Sequence, residues 1–320
     1  MKPRSSNRVI VLENMGISSC QRAPQGAGGA RRRRVSAVRR LLAGVAVFGI
    51  IPAALLLLWP RYEAYAWGPA AHRLVNTWAI ASLPPAMRPF FEANRSFFTD
   101  HANDPDEWIK KDPYERTHHY IYLDKYGLFP YLGLPYSYKL AVAKYGGKRV
   151  SANGTLPWRI GEYSLRLTNN LQAQKWDDAK LDAVVLAHFV ADAHDPLHTT
   201  QNFDGHLTEQ PGVDVRFGSS LIDRYSTFFM LHPEEATKID DPTTYAFQAA
   251  LEANTWVDRV LWADWRARAG LSDYTDEYFD RFYNQLGSMT IQEISAAAHD
   301  TGSYWYTAWL NAGQPTLPAR

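Results

Sequence analysis

The sequence predicts an all-α fold in a single domain. Apolar residues recur at helical spacing in six long stretches, no segment alternates apolar and polar as a half-buried strand does, and no internal repeat divides the chain. The expected helices span 70–83, 158–174, 175–194, 219–231, 242–269 and 291–310. The first stops at Pro84-Pro85, because proline has no amide hydrogen and crowds the turn before it. The second and third read as two long amphipathic helices. Stretches rich in Pro, Gly, Asn and Asp at 130–155 and 199–213 read as loops.

Ahead of this body lies a leader, residues 1–66, and the domain proper is 67–320. Arg31 to Arg34, Arg39 and Arg40 precede an apolar run over 41–59, and the small-residue signal Ala64-Tyr65-Ala66 follows. A basic region, an apolar region and a small-residue site predict a signal peptide cleaved after Ala66, hence a secreted or periplasmic protein. The alternative is an uncleaved membrane anchor formed by 41–59, which is nearly long enough to span a bilayer.

Charge divides the same way. The leader holds 11 Lys and Arg against 2 acidic residues, which leaves 23 against 31 in the body and hides behind a formal +1 for the whole chain. An acidic body disfavours tight non-specific binding to a phosphate backbone, which rests on clustered Lys and Arg. The single cysteine, Cys20, lies in the leader, so the body has neither disulfides nor thiolate ligands. All ten histidines lie in the body. Aromatic residues make up 13% of the chain, and Trp256, Trp262, Trp265, Trp305 and Trp309 fall at near-helical spacings that suit core packing.

The chemistry concentrates in one motif, His188-Phe-Val-Ala-Asp192-Ala-His194-Asp-Pro196-Leu-His198. His188 and Asp192 stand four apart and project from one helix face. Pro196 ends that helix, and His198 enters from the turn beyond. A lone histidine on an apolar helix is usually a satisfied core residue, but three with an aspartate in so short a span make a metal-ligand set. Asp104-Pro105-Asp106, expected on a loop, and His118-His119-Tyr120 offer further ligands. Nitrogen and oxygen donors without thiolate suit Zn²⁺ at hydrolytic sites. Trp67, first after the cleavage signal, stands five positions before His72 in the run WGPAAH. As a new N-terminus it would bring an α-amine and a carbonyl beside an imidazole.

Taken in order, WGxxxH, PDxW, HHY and HFxxDxHxPLH resemble the superfamily of zinc-dependent phospholipases C and single-strand-specific nucleases, over essentially all of 67–320. The resemblance implies an all-helical exported protein with three zinc ions and its mature N-terminus as a ligand. It assigns Asp106, His119, His188 and Asp192 to one zinc, and Trp67, His72 and the shared Asp192 to a second. His198 begins the third. It also makes Asp106 a candidate general base and leaves His194 outside the ligand set.

At the third zinc the chain departs from the pattern. Asp214 stands where the family has histidine and can still ligate, whereas Gly218 stands where it has a carboxylate and cannot. His206, Glu209 and Asp223 are candidate replacements, though spacing favours none of them. Two zinc ions are therefore expected, with a third as an open question.

The expected activity is phosphodiester hydrolysis, in which zinc polarises a phosphoryl oxygen and lowers the pKa of water toward ~7. The stretch after His198 looks like that of bacterial phospholipases C, which favours phospholipid or another small phosphodiester as substrate. The short Trp67–His72 spacing looks instead like the nucleases, so single-stranded nucleic acid is the alternative. A zinc-binding protein with catalysis impaired at Asp214 and Gly218 is the third reading. No stable protein partner is implied.

Overall fold

The protein is seen here as a computed structural model that describes residues 67–318. The leader, with its signal peptide, cleavage signal and alternative anchor, lies outside the described residues. Among the described residues there is no strand, and the fold is all-α.

Several helices begin where a proline fixes the first turn, since its missing amide hydrogen costs nothing there. Pro69 opens α1 (Pro69–Ser82), and Pro157 lies in the first turn of α7 (Leu156–Gln172). Pro105 does the same in α4 (Asp104–Ile109), which follows α2 (Arg88–Ala93) and α3 (Arg95–Asp100). Asp106 was expected on a loop. It lies instead in the first turn of α4, because an Asp-Pro pair can start a helix as readily as a turn.

The segment 130–155, also expected to be loop, contains α5 (Tyr138–Tyr145) and α6 (Gly147–Ala152), separated by Gly146 at φ 83°. These helices are short and mostly exposed, and too brief to show the periodicity that marks the longer ones.

Two long elements organise the core. α7 and α8 (Trp176–Ala193) pack as an antiparallel pair, and α12 (Asp276–Asn311) lies against α1, α7 and α8. From Asp182 onward α8 is buried on every side, which makes it the central helix. Polar groups on its last turns are thereby carried into the interior.

Trp305 of α12 stacks on Phe91, ring centroids 4.8 Å apart, and meets a tilted Phe98 ring at 5.2 Å, and its indole donates to the Ala183 carbonyl. Trp309 is also buried. Trp262 and Trp265, by contrast, are 52% and 64% exposed, so the expectation of core packing fails for this pair. Their near-helical spacing puts them on the outer face of α11 (Val257–Arg268).

The expected helix over 242–269 is two, α10 (Pro242–Asn254) and α11, broken at Thr255-Trp256. The last helix starts fifteen residues earlier than expected, at Asp276 rather than residue 291. The expected helix over 219–231 starts earlier and stops sooner. Its main helical run, α9 (213–225), passes through a π-helical turn at Arg216–Leu221, and a 3₁₀ turn at Ser226–Phe228 completes it.

That π turn is held from two sides. Arg216 is buried and donates from Nε to Asp264 at 2.8 Å, and the same carboxylate accepts from Gln210 and Tyr278. On the other side the Gly218 carbonyl accepts from the Gly68 amide at 2.8 Å.

Candidate metal centre

α8 carries the centre. His188 sits four residues before Asp192, so both project from one face of a helix that is buried at this level. The His188 ring donates from Nδ1 to the Ala102 carbonyl at 2.9 Å, which fixes its orientation and turns Nε2 toward the other polar groups. Nε2 lies 3.5 Å from an oxygen of Asp106, 3.5 Å from one of Asp192 and 3.1 Å from Nδ1 of His119. His119 Nδ1 in turn lies 3.0 Å from Asp192. His72, in the first turn of α1, stacks on the His188 ring at 3.9 Å, and its Nε2 is 3.6 Å from Asp192.

Two triads result. His72, Asp106 and His188 form one, and His119, His188 and Asp192 the other, each with ligand atoms within 4.8 Å of one another. All five residues are buried, and such groups can hold a metal ion. His188 belongs to both triads, whereas the resemblance shared only Asp192 between the first two metals.

The alternatives weighed in the sequence separate here. Asp104 is half-exposed and paired with His101, while Asp106 is buried among the histidines. His118 contacts the Thr155 hydroxyl at 2.8 Å, while His119 faces the carboxylates. His194 is engaged by Asp300 at 2.9 Å and by Glu293 at 3.6 Å, both on α12. Tyr245 donates to the second oxygen of Asp300, so this buried group anchors the end of α8 to α12 and α10.

His198 lies on a 3₁₀ turn (Pro196–Thr199) that Asp195 caps through the Leu197 amide. Its Nδ1 donates to the His119 carbonyl, which again leaves Nε2 free to ligate. Asp214 is fully buried, and neither of its carboxylate oxygens has a hydrogen-bond partner. The charges that act on it include Asp195, Asp204 and Asp192. Asp195 is buried as well and keeps one oxygen without a partner. Asp195 was not among the residues singled out from the sequence; it caps the turn with one oxygen and leaves the other unpaired. His206, Glu209 and Asp223 are exposed, so none joins Asp214 in its buried position.

Trp67 is fully buried against Phe217, ring centroids 5.3 Å apart, in an apolar cluster that includes Ala191 and Leu197. Its main chain therefore enters the interior next to α8. A Cβ on Gly68 would stand 2.4 Å from the Ser219 hydroxyl, so glycine is what lets this segment lie against the π turn.

The electrostatics favour neutral imidazole at His72 and His119 but not at His188. Burial, reinforced by the His188 charge, holds His72 well below its ordinary value and pushes His119 down to about 3. Burial opposes charging of His188 too, but the Asp192 and Asp106 carboxylates push it up to about 9. For Asp106 burial is outweighed by His188 and His119, which keep it well below the usual carboxylate range. Burial raises Asp192 to about 7 and Asp195 to about 8, and lifts Asp214 well above its ordinary value.

Beside His119 and His198 runs a stack of flat rings. Tyr120 lies on Tyr122 at 4.2 Å, and Tyr122 on Phe203 at 5.9 Å, with the Arg116 guanidinium over Phe203. These four residues and the two histidines line one cleft. Compared with known proteins, the chain matches no family model and no curated protein.

Proposed function

We propose that the protein is a zinc-dependent phosphodiester hydrolase of the phospholipase C type. One observation carries the reading. Asp106, Asp192, Asp195 and Asp214 are buried together near one another along the chain's central helix and its flanks. Among the described residues no Lys or Arg forms an ion pair with any of them. Asp106 and Asp192 meet only histidines, and Asp214 and one oxygen of Asp195 meet no partner; buried carboxylates so placed are costly, and a metal cation is the usual remedy.

The donor set fits such an ion. His72 has two ring nitrogens without a partner, His119 one, Asp192 one oxygen and Asp214 both. Imidazole and carboxylate without thiolate favour zinc at a hydrolytic centre. His72, His119, His188, Asp106 and Asp192 would hold two ions. Trp67 would add its amine and carbonyl once it is the N-terminus. His198, Asp214 and Asp195 would hold a third.

Zinc bound there supplies Lewis-acid polarisation of the phosphoryl group and a nucleophilic water at neutral pH. Asp106, kept ionised by His188, would be the group to hold a proton released there. The Ala102 and His119 carbonyls fix the His188 and His198 rings. Phospholipid or another small phosphodiester is the proposed substrate, and the proposed setting is outside the cytoplasm after cleavage at Ala66.

A second reading, a single-strand nuclease, draws support from the stack of Tyr120, Tyr122 and Phe203 with Arg116. A base can lie on such rings while the guanidinium meets a phosphate.

The test is zinc per molecule by plasma mass spectrometry, on protein whose N-terminus is verified as Trp67, together with hydrolysis of phosphatidylcholine and of single-stranded DNA. The expected result is at least two zinc ions and lipid hydrolysis that chelator and Asp106→Asn both abolish. DNA nicking without lipid hydrolysis favours the nuclease. A full zinc load with neither activity makes this a zinc-binding protein without turnover.

A further inference from the structure

A second feature of the chain has no role in the metal chemistry. Between α4 and α7, residues 127–134 read GLFPYLGL. Their apolar side chains face outward: Leu128 is 92% exposed, Leu132 89% and Phe129 59%. Three large apolar side chains within five residues, held out at a loop tip, cost solvation that a free surface does not recover.

The loop itself is tied down. Gly133's carbonyl accepts from Lys144 at 2.6 Å and from the Tyr145 hydroxyl at 2.8 Å, and Tyr131's hydroxyl donates to Asn254. Leu134 is buried beneath. The exposed side chains thus stand on a fixed base.

Charge identifies what they meet. The body is acidic, with 23 basic residues against 31, yet 125–149 contains Lys125, Lys139, Lys144, Lys148 and Arg149 and no Asp or Glu at all. All five are exposed, and none forms an ion pair among the described residues. The structure also draws several together. Lys144 touches one end of the loop at Gly133, and Arg149 donates at 2.7 Å to the Lys125 carbonyl at the other. An apolar tip flanked by unpaired cations, on a protein otherwise negative, matches a bilayer that carries anionic headgroups.

We infer that residues 125–149 dock the protein on an anionic phospholipid surface, with Leu128, Phe129 and Leu132 inserted at the headgroup boundary. The geometry relates this face to the metal centre. Asp124, just before the loop, accepts from the Thr200 hydroxyl and the Gln201 amide, two and three residues after His198. Asn254, held by Tyr131, donates to Thr199. Docking therefore sets the bilayer against the same polypeptide that carries His198.

The test reads insertion and not turnover, so its failure leaves the hydrolase reading standing, and the reverse holds too. In protein whose N-terminus is verified as Trp67, which has no native cysteine, Leu128→Cys is labelled with the fluorophore NBD and mixed with equimolar phosphatidylcholine/phosphatidylglycerol vesicles. A blue shift, quenched by lipids spin-labelled near the headgroup, is expected at 128. The same label at Glu235→Cys, on an exposed segment remote in sequence, is expected to show neither.

Replacing Phe129 and Leu132 by Ser in that protein lowers the partition constant read at 128 at least about tenfold. Lys139→Glu or Lys148→Glu lowers it about fivefold per charge neutralised, and the loss vanishes on vesicles of phosphatidylcholine alone. Each altered side chain is exposed, so folding survives. An NBD signal indifferent to anionic vesicles overturns the inference. So does one that responds to protein concentration without lipid, which would make a second copy the occupant, or to single-stranded oligonucleotide but not to vesicles.

Discussion

Removing metal should destabilise the whole domain, and His188 should be the residue through which it does so. The knot of His72, Asp106, His119, His188 and Asp192 is buried, and several of its polar atoms have no partner in the protein. Each such atom carries a desolvation cost of about 1–3 kcal/mol. A bound cation that satisfies them binds only the folded state, so at about 100 times its dissociation constant it adds about 2.7 kcal/mol of stability. For a domain of this size each kcal/mol moves the midpoint by about 2–4 °C, so saturating zinc should raise Tm by roughly 5–11 °C over chelated protein.

The assay is differential scanning calorimetry across a zinc series, with His188→Ala and His206→Ala compared with the parent. His188 belongs to both triads, so His188→Ala should abolish most of the rise. His206 is exposed and paired only with Asp204, so its removal should leave the rise intact. A midpoint indifferent to zinc in the parent, or a full rise in His188→Ala, would refute the argument that this cluster is a cation site.

Three further outcomes follow from single contacts. Gly68→Ala puts a Cβ 2.4 Å from the Ser219 hydroxyl and should cost about 1–3 kcal/mol in urea unfolding; Ser219→Gly should restore most of it, and an additive double mutant would sink this account. Asp214→Asn should leave chelated protein within about 1 kcal/mol of the parent, because burial already favours the uncharged acid, yet shrink the zinc-linked rise in Tm. Asp241 caps α10 by accepting from the Thr243 and Thr244 amides, so Asp241→Ala should cost about 1 kcal/mol at pH 7. Those bonds hold the Asp241 carboxyl below its ordinary 3.8, so its contribution is fully present above that value and disappears as pH falls through the lower folded value. Parent and variant should therefore converge in urea melts as pH falls below 3.8, and a gap that does not narrow there would refute the assignment.

The sequence disclosed the centre better than the helix boundaries around it. The i, i+4 spacing of His188 and Asp192 is a property of one helix, and α8 is long and apolar enough to declare itself. Asp106 and His119 come from short elements whose structure depends on what they pack against, so their residue types were legible and their setting was not. The loop over 130–155 concealed α5 and α6 for the same reason. Trp262 and Trp265 show the converse failure: periodicity identifies a face, but only tertiary packing says whether it turns inward.

The third-site region shows where reading by residue type reaches its end. Gly218 looks in the sequence like a lost ligand, and a lost ligand suggests decay. In the fold its carbonyl instead receives the Gly68 amide, so the backbone at 218 holds the segment that carries Trp67 toward α8. Meanwhile Asp214 is buried with both oxygens free of partners, and Asp195, which was passed over in the sequence, is buried with one oxygen free. A carboxylate in such a setting is destabilising unless a cation compensates it. Asp195, three residues before His198, and Asp214, on which its charge acts, would shift the donors of this corner toward oxygen, and oxygen-rich sets bind zinc less selectively than imidazole does. The corner thus differs from the two triads in chemistry, and on the proposed zinc reading its affinity for zinc should be lower than theirs.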